Sequence, residues 1–251
     1  MQGETAGDRA VLRITGADRV KFLHGLVTRD VGPPGSGLHY SAILTPQGKY
    51  LADFFLLDRG DDILLDVKAS LAQALVRRLL MYRLRADVAI EDSALGVVRG
   101  LGTAPSGAHA DPRDPSLGWR GYGLEGGPPV IDWDAIRVAA CIPESGIELI
   151  VDDSYILECG FDRLGGVDHR KGCYVGQEVT ARMKHKTELR KGLVTVAVEG
   201  QAPVGTPILA DGRVVGALYT QAAGLGIAHL RFDWAAGEMT ADAAKVIWKP
   251  H

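Results

Sequence analysis

The sequence predicts an α+β fold that ends in a small β-barrel, and three observations lead to this prediction. In the first hundred residues, short strand-like apolar runs are interrupted by turns and flanked by segments with helical periodicity. A stretch rich in proline and glycine follows, as expected of a connecting segment. The last sixty or so residues, by rough count, contain short strands separated by turns rich in Gly, Pro and Asp, which is typical of a small barrel.

The N-terminal elements can be placed in order. Alternation predicts a first strand at 11–15, and Asp18 then offers an N-cap for a helix. Three strands are predicted at 41–45, 50–58 and 63–67. Ser70 is predicted to cap the clearest helix, and a strand at 87–90 closes the unit. The arrangement favours an antiparallel sheet that helices cover on one side.

The same reading gives the domain boundaries. Residues 1–101 form an N-terminal α+β subdomain, and residues 102–129 form a Gly/Pro-rich linker. Residues 130–188 form a second α/β subdomain. Residues 189–251 form the barrel, in which Asp211-Gly212 is a two-residue hairpin signal.

Composition limits the possible functions. The net charge of -3 and the hydrophobic fraction of 46% indicate a globular protein without the basic excess of nucleic-acid-binding domains, so we expect no stable nucleic-acid binding. No apolar run approaches the roughly 18–20 residues of a membrane helix. The polar N-terminus lacks the order of a secretion signal. We expect a monomer.

The three cysteines, Cys141, Cys159 and Cys173, include no C-x-x-C pair. This pattern predicts a reducing compartment, which we take to be the cytoplasm, and neither a disulfide framework nor a metal site held within one chain.

The segment from Arg170 to Arg182 is where chemistry is expected. Gly172 and Gly176 permit a tight loop, and the residues from Gln177 onward favour a helix. Cys173 would then lie just before a helix N-terminus and beside cations, an environment that favours the thiolate. The alternative is that Cys173 is a small buried residue that fills space under the loop.

The residues Lys171-Gly172-Cys173-Tyr174-x-Gly176-Gln177-Glu178 resemble in full the K-G-C-Y-x-G-Q-E pattern of the YgfZ family. Other blocks are similar to that family in the same order. They are Ile14–Asp18 with Phe22–Thr28, Leu44–Lys49 with Asp53, Tyr82–Arg85, Arg137, Ile142–Glu144 and Glu158.

The resemblance implies a fold like that of the glycine-cleavage T-protein, a ring of three subdomains with tetrahydrofolate or another reduced folate at its centre. It implies a role in assembly or repair of iron–sulfur clusters in client enzymes, and through one such client in tRNA thiolation. We expect Cys173 to act as a thiolate and Lys171 to help hold it ionised. The folate contacts would be Tyr40, Asp53, Arg137 and Glu158, and the loop would be shaped by Gly172, Tyr174, Gly176, Gln177, Glu178 and Arg182.

The chain departs from the pattern at three places. Cys141 stands where the family usually has glycine, and the linker at 102–129 is short. The paired aspartates of the T-protein, one of which assists aminomethyl transfer, correspond to Ala52-Asp53. The missing carboxylate argues against T-protein catalysis but not against folate binding.

Three functions remain open at this point. The first is the folate-binding iron–sulfur maintenance factor, and the second is a folate-dependent aminomethyl or one-carbon transferase. The third is an enzyme with a cysteine nucleophile, for which His169 is the nearby base in sequence. A concentration of cations could hold a polyglutamate tail or a short RNA, or could be a solvated helix face. Its members are Arg182, Lys184, Lys186, Arg190 and Lys191.

Overall fold

The computed structural model describes residues 3–186, without the side chain of Lys186, and residues 189–249. The chain divides into two compact units. The first comprises Met1–Ile131 and Asp162–Val179, and the second comprises Asp132–Phe161 and Thr180–His251.

The central element of the first unit is a five-stranded antiparallel sheet with the strand order β3-β4-β5-β2-β6. Its strands are β2 (Arg9–Thr15), β3 (His39–Leu44), β4 (Tyr50–Asp58), β5 (Ile63–Lys68) and β6 (Ala89–Asp92). Almost every residue of β4 and β5 is buried, so this sheet is covered on both faces.

Two helices cover one face of this sheet. They are α1 (Arg19–His24) and α2 (Ala69–Arg83). Phe22, Leu23, Leu75 and Leu79 from these helices join a buried cluster with apolar residues from the strands. Asp18 is the N-cap residue of α1 as predicted, although its carboxylate accepts from the backbone N–H of Asp87 and not from α1.

A second, four-stranded sheet contacts the opposite face, and its order is β1-β7-β9-β8. Its strands are β1 (Glu4–Thr5), β7 (Val97–Gly100), β8 (Ala108–Ala110) and β9 (Trp119–Tyr122). The structure therefore differs from the predicted linker at 102–129, since β8 and β9 lie within that range. Proline and glycine shape the turns between these short strands.

Charged and aromatic side chains fill the space between the two sheets. The carboxylate of Asp66 on β5 is fully buried and accepts from Arg9 Nε at 2.7 Å, Arg120 Nη1 at 3.0 Å and the Tyr122 hydroxyl at 3.1 Å. The Arg120 guanidinium also lies 4.1 Å from the ring centre of Phe55. The two guanidinium groups and the hydroxyl satisfy the Asp66 carboxylate, which is the condition for burying it without a large penalty.

The second unit is built on a closed six-stranded barrel with the order β10-β13-β12-β11-β14-β15. Its strands are β10 (Lys191–Glu199), β11 (Thr206–Ala210), β12 (Arg213–Ala222), β13 (Leu225–Arg231), β14 (Met239–Ala241) and β15 (Ala244–Ile247). Asp211 and Gly212 form the predicted hairpin turn, with φ angles of 49° and 75°. The predicted C-terminal barrel is confirmed.

The remaining described helices are a short 3-10 helix (Pro115–Leu117), α3 (Trp133–Ala139) and α4 (Gln177–Lys186). The described residues between 130 and 186 contain no strand. The second sheet expected in that range is instead the one formed by β1, β7, β8 and β9. Ser70 lies inside α2 rather than at its cap, because the helix already begins at Ala69.

In the described ranges, no helix is long and apolar enough to cross a membrane.

We expect Asp66→Asn to lower the free energy of unfolding by about 3–5 kcal/mol, the cost of breaking a buried ion pair from one side. Denaturant unfolding measures this loss. The control is Asp61→Asn at an exposed position, which should change stability by less than about 0.5 kcal/mol. Similar losses in the two variants would contradict the role given to Asp66.

Candidate functional site

Cys173 is exposed to solvent on the loop that precedes α4. The helix begins at Gln177, so the predicted order of loop and helix N-terminus is what the structure shows. The interpretation of Cys173 as a buried space-filling residue does not agree with this exposure.

The ammonium of Lys171 holds this loop to the end of α1. The side chain of Lys171 is only 2% exposed, and Nζ donates to the carbonyl oxygens of His24 at 2.7 Å and Val27 at 2.6 Å. It also lies 3.2 Å from Asp30 Oδ1. Burial lowers the pKa of Lys171, and Asp30 opposes that shift. Because its three N–H donors face these three acceptors, Lys171 positions the loop, whereas the sequence suggested that it ionises the thiol.

His24 is the residue of this region that the sequence did not single out. His24 Nδ1 donates to Asp30 Oδ2 at 2.8 Å, and a Cβ atom on Gly172 would lie 2.8 Å from His24 Nε2. A larger residue at position 172 would therefore require this ring to move. The base expected from sequence, His169, is instead paired with Asp162, 2.8 Å away.

Backbone and hydroxyl contacts fix the segment that leads into the loop. Thr28 is fully buried, and its Oγ1 donates to the carbonyl of Gly166 at 2.6 Å. Its own carbonyl accepts from the Asp168 amide at 3.0 Å. Arg29 Nη1 donates to the carbonyl of Gly165 at 2.7 Å. Cys173 is thus an exposed group on a well-supported backbone.

The other motif residues support the end of the loop. Tyr174 is buried, with its ring centre 5.0 Å from the Lys171 ammonium. Gly176 has a φ of 86°, and a Cβ there would lie 2.5 Å from the carbonyl of Thr45. The amide of Gln177 donates to the carbonyl of Tyr174 at 3.2 Å. The exposed residues Glu178 and Arg182 follow on α4.

Tyr40 and Asp53, predicted folate contacts, lie together in the first unit and are buried. Asp53 accepts from the Tyr40 hydroxyl at 3.0 Å and from the Tyr50 hydroxyl at 2.7 Å. Burial and the nearby Asp53 carboxylate raise the pKa of Tyr40 well above its usual value. The ring of Tyr40 packs against Phe55, with 5.5 Å between ring centres, so stacking of Tyr40 on a pterin stays a prediction.

Arg137 on α3, also a predicted folate contact, is buried in the second unit. Its Nε donates to Asp134 Oδ1 at 2.8 Å, its Nη1 donates to Glu148 Oε2 at 3.0 Å, and its Nη2 donates to Thr220. These contacts tie α3 to the barrel, and the folate-binding role of Arg137 stays a prediction.

Glu158 lies beside a cavity of about 470 Å³ in the barrel unit. Its Oε2 is 3.3 Å from both Lys191 Nζ and His229 Nε2, which line that cavity. Arg190 and Arg231 line it as well. Four side chains that carry or can carry positive charge therefore surround this space, next to one carboxylate.

The cationic residues noted in the sequence separate into two groups. Arg190 and Lys191 line the barrel cavity, whereas Arg182 and Lys184 are exposed on α4. The side chain of Lys186 lies outside the described atoms.

The other two cysteines differ from Cys173. Cys159 is buried, and burial raises the pKa of its thiol to about 12. Cys141 has a φ of 51°, a left-handed conformation that favours glycine, which agrees with the glycine usual at this position in the resembled family. Within the described residues, no group of three or more His, Cys, Asp or Glu side chains could hold a metal ion.

Comparison with known proteins identifies the family. Residues 190–251 match the model of the CAF17 C-terminal beta-barrel domain. The human mitochondrial iron–sulfur cluster assembly factor IBA57 is 30% identical over 88% of this chain and 75% of its own length. The chain belongs to the IBA57 family. The mouse protein of the same name is 29% identical, over 92% of this chain and 78% of its own length.

A fungal relative, the mitochondrial IBA57 homolog of Mycosarcoma maydis, is 31% identical over 75% of this chain and 55% of its own length. Among solved structures, the glycine cleavage system aminomethyltransferase T of Bartonella henselae superimposes with a TM-score of 0.78. It covers 98% of this chain at 13% identity, so this likeness shows the fold alone. The predicted T-protein-like α+β fold is confirmed.

One prediction is wrong. The IBA57 relatives are named as mitochondrial proteins, and this contradicts the cytoplasmic location expected from the cysteine pattern. Free thiols indicate a reducing environment, but they do not distinguish one reducing compartment from another.

We expect N-ethylmaleimide to label Cys173 first and to leave Cys159 unlabelled in the native protein. With a pKa of about 12, about one Cys159 thiol in ten thousand is ionised at pH 8, and burial also blocks access. Mass spectrometry of timed samples measures the order. Labelling of Cys159 should appear only in denaturant; native labelling at the rate of Cys173 would contradict the assignment.

Proposed function

We propose that this chain assists the assembly or repair of iron–sulfur clusters in client enzymes through Cys173, and that it binds a reduced folate. The observation that carries the first part is the exposed Cys173 thiol on a loop that Lys171 fixes at its base. Membership of a family whose relatives are named iron–sulfur cluster assembly factors supports the same conclusion.

A single exposed thiol fits a particular task in cluster chemistry. Cysteine thiolates are the usual ligands of iron–sulfur clusters, and a cluster normally needs four ligands. Within the described part of the chain no group of three or more His, Cys, Asp or Glu side chains could hold a metal ion, so most ligands of a cluster at Cys173 would come from a partner protein. The cluster is then cargo that Cys173 holds briefly during transfer or repair.

The supported loop suits such a transient contact. Ordering a mobile loop would cost conformational entropy each time a partner bound. Here Lys171, Thr28 and Arg29 already hold the segment that leads to Cys173. The thiol is therefore presented without a folding step.

The barrel cavity supports the folate proposal. A folate carries glutamate carboxylates, which need cations, and a pterin whose N–H edge needs a carboxylate or amide. Arg190 and Arg231 supply the cations, and Glu158, 3.3 Å from Lys191 Nζ, supplies the carboxylate. The residues present thus fit a folate by charge. When bound, the folate would supply a one-carbon carrier, and the residues named here would orient it.

We further propose that the link to tRNA modification is indirect. A tRNA thiolation enzyme that needs an iron–sulfur cluster would lose activity if this chain failed to maintain that cluster. No RNA contact of this chain is required.

The second candidate, a folate-dependent aminomethyl or one-carbon transferase, is favoured by the T-protein fold. Asp53 is the one carboxylate of the Ala52-Asp53 pair, and it accepts from two tyrosine hydroxyls. A positioned acid or base would have to be Asp53 itself, because Ala52 has no ionisable group. A glycine-cleavage assay with reduced folate distinguishes the two candidates.

The first test is rescue of iron–sulfur enzyme activity in cells that lack their own IBA57-type protein. We expect the intact chain to restore activity and Cys173→Ser to restore at most about a tenth of it. Loss of a side chain that only supports a metal ligand already lowers metal affinity or activity about 10–100-fold, so loss of the ligand itself should cost at least as much. Cys141→Ser is the matched control and should rescue like the intact chain. Full rescue by Cys173→Ser would reduce the loop to a structural role.

The second test concerns the cofactor. We expect tetrahydrofolate to bind the purified chain and Glu158→Gln to weaken binding at least about tenfold, because a hydrogen bond to a charged group is worth about 1.5–3 kcal/mol. Isothermal titration calorimetry measures this. Glu199→Gln, at an exposed barrel residue, is the control. Equal affinities for all three proteins would contradict this place for the folate.

A further inference from the structure

The ends of α1 and α2 enclose a pocket of about 420 Å³ in the first unit. We call it the α1–α2 pocket. Its lining residues are Asp18, Lys21, Phe22, Gly25, Leu26, Tyr82, Arg85 and Ala86. Phe22 and Leu26 are buried and form an apolar floor, whereas Lys21 and Arg85 are exposed.

The charges of this pocket favour an anionic group. Neither Lys21 nor Arg85 forms an ion pair with any described residue. Asp18 is the one acidic lining residue, and its Oδ2 already accepts from the Asp87 amide at 2.9 Å. Two cations above an apolar floor suit a carboxylate that flanks an apolar side chain.

Two exposed apolar residues precede lining residues of the pocket in the chain, Met81 before Tyr82 and Leu84 before Arg85. Leu84 follows the last residue of α2 and is 87% exposed, and Met81 one turn earlier is 68% exposed. Leu84 also has a φ of 45°, a positive angle that residues with a side chain rarely adopt. A leucine that is both strained and exposed indicates a contact that the isolated chain does not make.

The two exposed apolar side chains favour an extended occupant. Met81 and Leu84 are not among the residues that line the pocket. A ligand that fills the pocket and also covers either side chain must extend beyond about 420 Å³. A segment of a protein satisfies this requirement, whereas a small molecule in the pocket would leave Met81 and Leu84 exposed.

The pocket and the cysteine loop meet at the same end of α1. Gly25 lines the pocket, and its carbonyl accepts from the Val175 amide of the loop at 3.2 Å. Next to it, the His24 ring lies against Gly172, and the His24 carbonyl accepts a hydrogen bond from Lys171 Nζ. A protein seated in the pocket therefore lies beside the loop that carries Cys173.

We propose that the α1–α2 pocket docks an acidic, leucine-rich segment of the protein that exchanges a cluster at Cys173. The inference about the exchange rests on the proposed function, while the inference about the segment rests on the pocket alone. The carboxylates of the segment pair with Lys21 and Arg85, and its apolar side chains cover Leu84 and fill the floor at Phe22.

The binding test uses a short amphipathic peptide of leucine and glutamate, titrated into the ¹⁵N-labelled chain at low salt. We expect chemical-shift changes at residues 18–26 and 80–86. We expect Arg85→Glu to weaken binding at least about fivefold. Arg77→Glu, the same charge change at an exposed residue of α2 outside the pocket lining, should change binding by less than about twofold. Equal effects of the two variants, or tighter binding of a leucine–lysine peptide, would overturn the proposal.

The cellular test uses Leu84→Gly, which removes the apolar contact and relieves the left-handed strain. We expect unchanged or higher thermal stability, unchanged Cys173 labelling, and at least about fivefold lower rescue of iron–sulfur enzymes. Full rescue would overturn docking at this site. A wild-type dimer that dissociates on Leu84→Gly would make a second copy the occupant, which also overturns it. If the intact chain fails to rescue, the proposed function is refuted, but the peptide titration still tests binding at the pocket.

Discussion

The position of Cys173 depends on one buried ammonium group. A helix of six residues such as α1 ends with carbonyl groups that have no partner in the helix, and its C-terminus carries partial negative charge. Lys171 meets both needs, because its charge is buried against the carbonyls of His24 and Val27 and against Asp30. A lysine buried without these acceptors would be strongly unfavourable. The helix end and the cysteine loop therefore stabilise each other.

The sequence predicts the parts of this site that depend on neighbouring residues, and it does not predict contacts between residues far apart in the chain. The pattern from Gly172 to Glu178 predicts the tight loop and the start of α4, because turns and helix caps are local. It does not predict the partner of Lys171, because His24 and Lys171 are 147 residues apart in the chain. Closeness to Cys173 in sequence suggested a role in ionising the thiol. In the structure the Lys171 ammonium instead donates to backbone carbonyls at the end of α1, and the His24 ring lies against the loop.

The linker prediction failed to anticipate a sheet for a related reason. Proline and glycine at 102–129 indicate turns, and turns connect short strands as well as domains. The signal for the missing layer lay in β4, where four consecutive apolar residues, 54–57, predict a strand buried on both faces. Such a strand needs a second cover, and β9 supplies it with Arg120 and Tyr122 around Asp66. The barrel was easier to predict, because its six strands follow one another in the chain and three of their connections are two-residue turns.

The loop that carries Cys173 and the pocket next to Leu84 in the chain both contact the end of α1. The two sites can therefore act on the same partner protein. One cysteine binds one iron, and one small pocket gives a protein partner little affinity, so each contact alone is weak. When two weak contacts belong to the same pair of proteins, the second forms within the complex at a high effective concentration. A partner that carries both an acidic segment and a cluster would therefore be selected over one that carries either alone. In the proposed exchange, departure of the cluster would leave only the weak pocket contact, so the partner would dissociate after transfer.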